Sequence, residues 1–318
     1  MTTFGLLLLP AANRVYGKAS TGLLRAEVSV VLGDRVSGVD EKVIGGVPYV
    51  TFQADDPPEG VADLSGAYAL FEVDGDRLKP VEINRRDRFD DDLLTIQRYQ
   101  GKTNEQFTKL MVNVTLAVSA SLTDARPPRL LDPLCGRGTS LNQALIYGFD
   151  AAGIELDGRA VDAYETFLTT WLKNKRLKHK VEKSRFRRDG KIAGRRFDIS
   201  GAMRCSVVHD DTRFVGEHFH KPEFDVLVAD LPYGVQHTRR PLSLLDEALP
   251  GWIRVMRPGA GVGLAFNTRI SKRVDVVAVL ETAGLRVFDD GPFLEFEHRV
   301  DQAIQRDLVV AQLPSRNG

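Results

Sequence analysis

A chain of 318 residues is long enough for one large domain and a smaller one. Apolar residues make up 43% and charged residues 27%, and 43 Lys and Arg balance 43 Asp and Glu, so the total charge does not make this a polyanion binder; any contact with nucleic acid must come from charge concentrated locally. Two cysteines, Cys135 and Cys205, exclude a disulfide scaffold, and no metal-ligand spacing occurs.

The first apolar run, Phe4–Leu9, reads as a strand. It is too short to cross a bilayer and follows no basic stretch, so the expectation is a cytoplasmic protein with no membrane partner. Leu23–Leu32 fits a helix or a strand, since Leu24, Val28 and Val31 follow a helical stripe while Val28–Val31 is rich in β-branched residues. Pro48–Phe52 and Tyr68–Val73 read as strands, the second closed by Asp74-Gly75. Arg85–Asp92 (RRDRFDDD) reads as an exposed charged connector. Residues 1–92 are thus expected to form a small α+β domain and 93–318 a larger one.

From Asn104 to Ser121 the apolar spacing predicts a helix. Strands and helices then alternate: Leu130–Leu131, Ala151–Ile154, Val207–Val208, Val226–Ala229 and Val262–Phe266 read as strands, and Thr139–Tyr147, Arg159–Leu172, Pro241–Met256 and Ser271–Ala283 as helices, with Arg257-Pro258-Gly259 as a stop. Two last strands, Leu285–Phe288 and Leu308–Leu313, have no clear helix between them and can pair antiparallel at a sheet edge. The pattern predicts an α/β fold, a Rossmann-like and mostly parallel sheet with helices on both faces.

The glycine turn Gly136-Arg137-Gly138 follows the strand ending at Asp132 and opens the next helix, where ligands bind in open α/β sheets. The dinucleotide pattern needs a third glycine, but Leu141 stands there, and Asp132 would repel a phosphate while suiting a cationic amino-acid group. S-adenosylmethionine carries both an ammonium and a sulfonium. Glu155, about 20 positions on, ends the second strand and suits ribose hydroxyls; Asp210, or Asp211 in its place, suits the adenine amine. Each of these carboxylates is, taken singly, equally a helix cap.

The fourth strand runs into Asp230-Leu231-Pro232-Tyr233-Gly234. Pro232 stiffens the turn and removes one N–H, fixing the aim of Asp230 and leaving the Leu231 carbonyl as an acceptor. Tyr233 offers a face on which a base stacks. An exocyclic base amine is a poor nucleophile because its lone pair is delocalised; two acceptors for its two hydrogens direct that lone pair at a methyl donor. Such a base has to be unpaired or flipped out.

At these residues the chain resembles the class I methyltransferases that modify guanine amines in tRNA. Asp132-Pro133-Leu134-Cys135-Gly136-Arg137-Gly138-Thr139 is similar to their cofactor motif, and Asp230-Leu231-Pro232-Tyr233-Gly234 to their Asn/Asp-Pro-Pro-Tyr catalytic motif with a non-proline second residue. The nearest likeness is to the THUMP-associated guanine-N2 methyltransferases, including bacterial eleven-type proteins, over about residues 97 to 270. No THUMP domain is identifiable; residues 1–90 have room for a ferredoxin-like piece alone. The resemblance implies that Pro133, Cys135, Gly136, Gly138 and Thr139 line the cofactor site, and that Gln100–Phe107, with Thr103 and Phe107, folds over it.

Lys173–Arg196 carries 12 Lys or Arg against Glu182 and Asp189, with Lys173–Lys180 continuing a helix and Arg185–Arg188 on a loop. This insertion, with Arg239 and Arg240, is the expected contact for RNA, tRNA foremost. His237 reads as a surface histidine. The other readings are adenine-N6 methylation of DNA or RNA, amide methylation of protein glutamine, and a non-catalytic RNA-binding module keeping the fold; a dinucleotide oxidoreductase fits least.

Overall fold

The computed structural model describes residues 1–11, 14–183, 186–188, 191–232 and 241–315, with backbone alone for 14, 187, 188, 191 and 192. The N-terminal part comprises β1 (Thr2–Leu8), α1 (Arg14–Leu32), β2 (Ser37–Ile44), β3 (Val47–Ala54), β4 (Ala67–Asp74) and β5 (Arg77–Val81). Its strands form one antiparallel sheet in the order β2-β3-β1-β4-β5.

Burial on two sides settles the ambiguous Leu23–Leu32 segment as helix. Leu24, Val28 and Leu32, four apart, pack on this sheet with Phe4, Leu6 and Phe52. Tyr16, Leu23 and Ala26 lie on another side of the same helix and join the core of the second sheet. A helix offers two such faces, and that packing outweighs the β preference of the valines. Glu27, fully buried between the two, accepts hydrogen bonds from Ser65 N (2.9 Å) and Asn113 Nδ2 (2.7 Å), and Asn113 in turn accepts from Tyr147 Oη (2.7 Å). The charged connector is irregular, as its composition predicts, but it is tied down: Arg86 pairs with Asp63 at 2.6 Å and Asp90 with Lys175 at 2.7 Å.

After α2 (Asp92–Thr95) come α3 (Glu105–Ala117), β6 (Arg129–Asp132), α4 (Thr139–Ile146), β7 (Asp150–Glu155) and α5 (Gly158–Asn174). Next are β8 (His179–Glu182), β9 (Arg187–Arg188), β10 (Lys191–Ile192), β11 (Gly194–Ile199), β12 (Met203–His209), α6 (Val215–His218) and β13 (Phe224–Asp230). The chain continues through α7 (Pro241–Val255), β14 (Met256–Asn267), α8 (Arg273–Thr282), β15 (Arg286–Phe288), β16 (His298–Arg299) and β17 (Gln305–Gln312).

The large sheet runs β15-β17-β14-β13-β6-β7-β12-β11-β8. Strands β12, β7, β6, β13 and β14 are mutually parallel, while β17 inserts antiparallel between β14 and β15. Counting β6 as first, the central order is 3-2-1-4-5-7-6 with a reversed seventh strand. The helices α3, α4 and α5 cover one face, with Phe107, Leu141 and Leu168 in its core; α7 and α8 cover the other, with Trp252 and Leu280. Helix α3 lies so close that a Cβ on Gly261 would meet the Thr115 carbonyl oxygen at 2.3 Å.

Two expectations are corrected. The basic insertion is neither a helical extension nor a loop throughout: α5 stops at Asn174, β8 and β11 pair antiparallel and extend the sheet beyond β12, and the backbones of β9 and β10 pair with each other. Arg257-Pro258-Gly259 does not stand between helix and strand but within β14, where the register against β13 slips from Met256 to Gly261.

Candidate active site

The carboxyl ends of β6, β7, β12 and β13 bring Asp132, Glu155, Asp210 and Asp230 to one edge of the sheet. The turn after β6 is shaped by Gly136 (φ +52°) and Gly138 (φ +78°), both left-handed, and a Cβ on Gly138 would stand 2.4 Å from the Tyr164 ring. Cys135, whose N–H donates to the Ile154 carbonyl at 3.0 Å, is buried with its sulfur in the space that a Cβ on Gly153 would fill. Thr139 is buried at the start of α4, 3.1 Å from Tyr99 Oη, and Arg137 lies over the Tyr99 ring. Pro133 sits in the turn itself.

Asp132 is 6% exposed and holds the turn by accepting from Leu134 N (2.9 Å) and from Ser140 Oγ. Burial pushes its carboxyl up to about 7 against those two hydrogen bonds, and the neighbouring charges of Asp230 and Glu155 add to the rise. Such a clustering of acids is unfavourable by itself and is relieved by a bound cation. Glu155 accepts from Gly136 N (2.9 Å) and Asp157 N (2.7 Å), and a carboxylate has acceptor positions beyond those two.

The two acids after β12 differ in use. Asp211 caps the following turn and binds Arg213 through both carboxylate oxygens, at 2.9 and 2.6 Å. Asp210 stands nearer the strand end, with its oxygens toward Asp211 N (2.7 Å) and His218 Nε2 (2.7 Å).

Asp230 ends β13. Its Oδ2 accepts from Thr103 Oγ1 at 2.9 Å and pairs with Arg306 Nη2 at 3.0 Å. Thr103 thus meets the carboxylate that the sequence singles out as a catalytic candidate. Phe107 is 0% exposed, with Arg306 over its ring at 4.9 Å and His298 at 4.9 Å between centroids; it supports the site from behind and offers no open face to a ligand. Leu231 is buried, its N–H donating to the Ala265 carbonyl at 2.8 Å, and Pro232 is half-buried. Tyr233, Gly234, His237, Arg239 and Arg240 lie outside the described residues.

Sequence reasoning missed Arg306, His298, Ser140 and His218. Arg306 comes from β17, 76 residues from Asp230, and is 4% exposed. Burial drives His298 down to about 4, so the ring is neutral at pH 7, and Tyr16 of α1 packs edge-on against it. No local pattern flags Arg306 and His298, which the reversed strand β17 and its partner β16 bring to the site; Ser140 comes from the first turn of α4 and His218 from the end of α6. Among the described residues no cluster of His, Cys, Asp and Glu is suited to a metal, and no helix is long and apolar enough to cross a membrane.

Of the basic insertion, Lys175 pairs with Asp90 and Asp92, Lys183 and Arg195 with Glu165, and Arg196 with Glu182 and Asp198. Lys173, Arg176, Lys178 and Lys180 are exposed.

No family model matches the sequence, and no curated protein matches it. Solved structures do resemble it. TrmN from Thermus thermophilus is 15% identical, with a TM-score of 0.48 over 98% of this chain and 100% of that one. An rRNA methylase from Streptococcus thermophilus is 9% identical, with a TM-score of 0.38 over 68% and 100%. A TehB-like SAM-dependent methyltransferase from Corynebacterium glutamicum is 17% identical, with a TM-score of 0.36 over 60% and 82%. The strand order 3-2-1-4-5-7-6 with an antiparallel seventh strand, both faces covered by helices, is the Rossmann-like fold of class I methyltransferases, and this chain has it.

Proposed function

We propose that this chain is an S-adenosylmethionine-dependent methyltransferase acting on an exocyclic base amine of RNA, with guanine N2 of tRNA as the target. The observation that carries the reading is the Asp230 carboxylate, fixed by Thr103 and Arg306 at the strand end beside the glycine turn and close enough to Asp132 for the two charges to interact.

The acidic crevice fits the cofactor's chemistry. Asp132 and its neighbours face the ammonium group, the left-handed backbone at Gly136 and Gly138 permits close approach, Glu155 takes the ribose hydroxyls and Asp210 the adenine amine. Bound there, the cofactor supplies a methyl group on a positively charged sulfur. Asp230 and the Leu231 carbonyl would accept the two hydrogens of the target amine and turn its lone pair toward that methyl; as the N–C bond forms the methyl–sulfur bond would break, leaving the neutral thioether, and the amine proton would pass to Asp230 or to water. Arg306 and Thr103 keep the carboxylate from rotating, so the site contributes orientation and charge placement. Tyr233 takes the base plane. Exposed Lys173, Arg176, Lys178 and Lys180, with Arg239 and Arg240, bind backbone phosphates.

Asp230→Asn keeps the shape of the side chain and removes one acceptor. We expect methyl transfer to unmodified tRNA to fall by about a hundredfold or more while S-adenosylhomocysteine still binds. Nucleoside mass spectrometry of the product identifies the base. Full activity in the variant overturns the role of Asp230, and a wild-type protein that binds the cofactor but methylates no RNA overturns the substrate.

A further inference from the structure

A second cavity, of about 250 Å³, lies away from the glycine turn on the sheet face that carries α6. Arg129 at the start of β6, Arg204 near the start of β12, Arg196 on β11 and Lys221 before β13 line it, with Ser206 and Glu223; Phe186 and Phe219 supply apolar wall. Among the lining residues four permanent cations therefore stand against one carboxylate, with Glu182, Asp198 and Asp150 pairing with them from outside the lining.

The local acids do not fully satisfy this cluster. Arg129 Nη1 meets Glu223, but Arg129 Nε is buried with no hydrogen-bond partner. Arg196 Nη2 is shared by Glu182 and Asp198 at 3.0 Å each, and its Nε is likewise buried and unpartnered. The nearest acid to Arg204 is Asp150, at 3.7 Å, a long pair on a side chain that is 60% exposed. Burial holds the Arg129 guanidinium below the usual arginine range in spite of Glu223. Converging cations of this kind, planar donors above all, suit the oxygens of a phosphate group.

We infer that this cavity binds a phosphate group through Arg129, Arg196, Arg204 and Lys221, independently of the cofactor crevice. The volume accommodates a phosphate or pyrophosphate group. Along β12, Arg204 precedes Asp210 by six residues, about 20 Å of strand, so a phosphate held by Arg204 and Lys221 does not occupy the cofactor crevice, although His218, which also lines the cavity, reaches Asp210 at 2.7 Å. The phosphate belongs either to RNA or to a free phosphorylated metabolite.

Pyrophosphate titrated into the full-length protein by calorimetry tests the site, with S-adenosylhomocysteine titrated in parallel. We expect saturable pyrophosphate binding that weakens about tenfold or more in Arg204→Gln and in Lys221→Gln, with the melting temperature and the affinity for S-adenosylhomocysteine unchanged. Both changes fall on exposed side chains, so misfolding does not obscure the result. A 5′-phosphorylated RNA oligonucleotide that displaces pyrophosphate identifies RNA as the source; displacement by nucleoside diphosphates but not by RNA identifies a free metabolite. No pyrophosphate binding at millimolar concentration, or binding that both variants retain in full, overturns the proposal without touching the methyltransferase reading.

Discussion

Asp132 makes cofactor affinity a function of pH, and the size of the effect follows from its surroundings. Burial and the nearby Asp230 and Glu155 put its carboxyl at about 7 in the free protein. A ligand ammonium, which S-adenosylhomocysteine carries, about 4 Å away contributes about 4 kcal/mol at an effective dielectric near 20, enough to return the carboxyl to about 4 in the complex. Binding then takes up the ionised form and releases a proton wherever Asp132 is protonated beforehand. Affinity for S-adenosylhomocysteine should weaken about tenfold per pH unit below 7 and level off above about 8, a loss of about 30-fold, or about 2 kcal/mol, between pH 8 and pH 5.5. The sign for the free protein is opposite. An acid raised above its unfolded value favours the folded state most below about 4, and that contribution is lost as pH rises toward 7. Calorimetry from pH 5.5 to 8.5 in two buffers of different ionisation enthalpy reads both the affinity and the proton released. A profile flat in the wild type, or a slope that survives in Asp132→Asn, refutes the reasoning.

Three further outcomes rest on packing. In the seam between α1 and α3, Glu27→Leu strands the Ser65 N–H and one of the two Asn113 amide N–H groups, the other still donating to the Asp63 carbonyl at 2.8 Å; each unsatisfied group costs about 1–3 kcal/mol, and thermal melting should shift down by several degrees, whereas an unchanged melt shows that the seam relaxes without it. Asp225 is fully buried and binds both Nη atoms of Arg126 at 2.6 Å, so Asp225→Ala should destabilise by about 3–5 kcal/mol, read as a lower urea midpoint; a loss below about 1 kcal/mol removes it as an anchor. Gly138→Ala forces a Cβ onto the Tyr164 ring at a left-handed backbone position, and it should abolish S-adenosylhomocysteine binding in calorimetry, a prediction that wild-type affinity contradicts.

Much of the large sheet is legible in the sequence because its central strands are short apolar runs buried on both sides, and β6, β7, β13 and β14 are each followed by a helix with its own period. The acids at the strand ends are legible for the same reason: position along an open α/β pattern places them at one edge. The edge strands are not. Ser37–Ile44 is largely exposed and carries Asp40, Glu41 and Lys42, so it has no apolar signature. The basic run hides β8 and β11, whose pairing depends on a neighbour, β12, rather than on their own composition.

From residues alone come the alternating α/β order, the glycine turn, the acid at each strand end and the stiff turn after Asp230, because each is written in adjacent positions. Folding alone decides that Arg306 and Thr103 hold Asp230, that Phe107 lies beneath Arg306 rather than open to a ligand, and that four cations from β6, β11, β12 and the approach to β13 share one cavity. Those groups are from eight residues apart, Arg196 to Arg204, to 199, Phe107 to Arg306, and pairing energies across strands depend on their register, which no local pattern records.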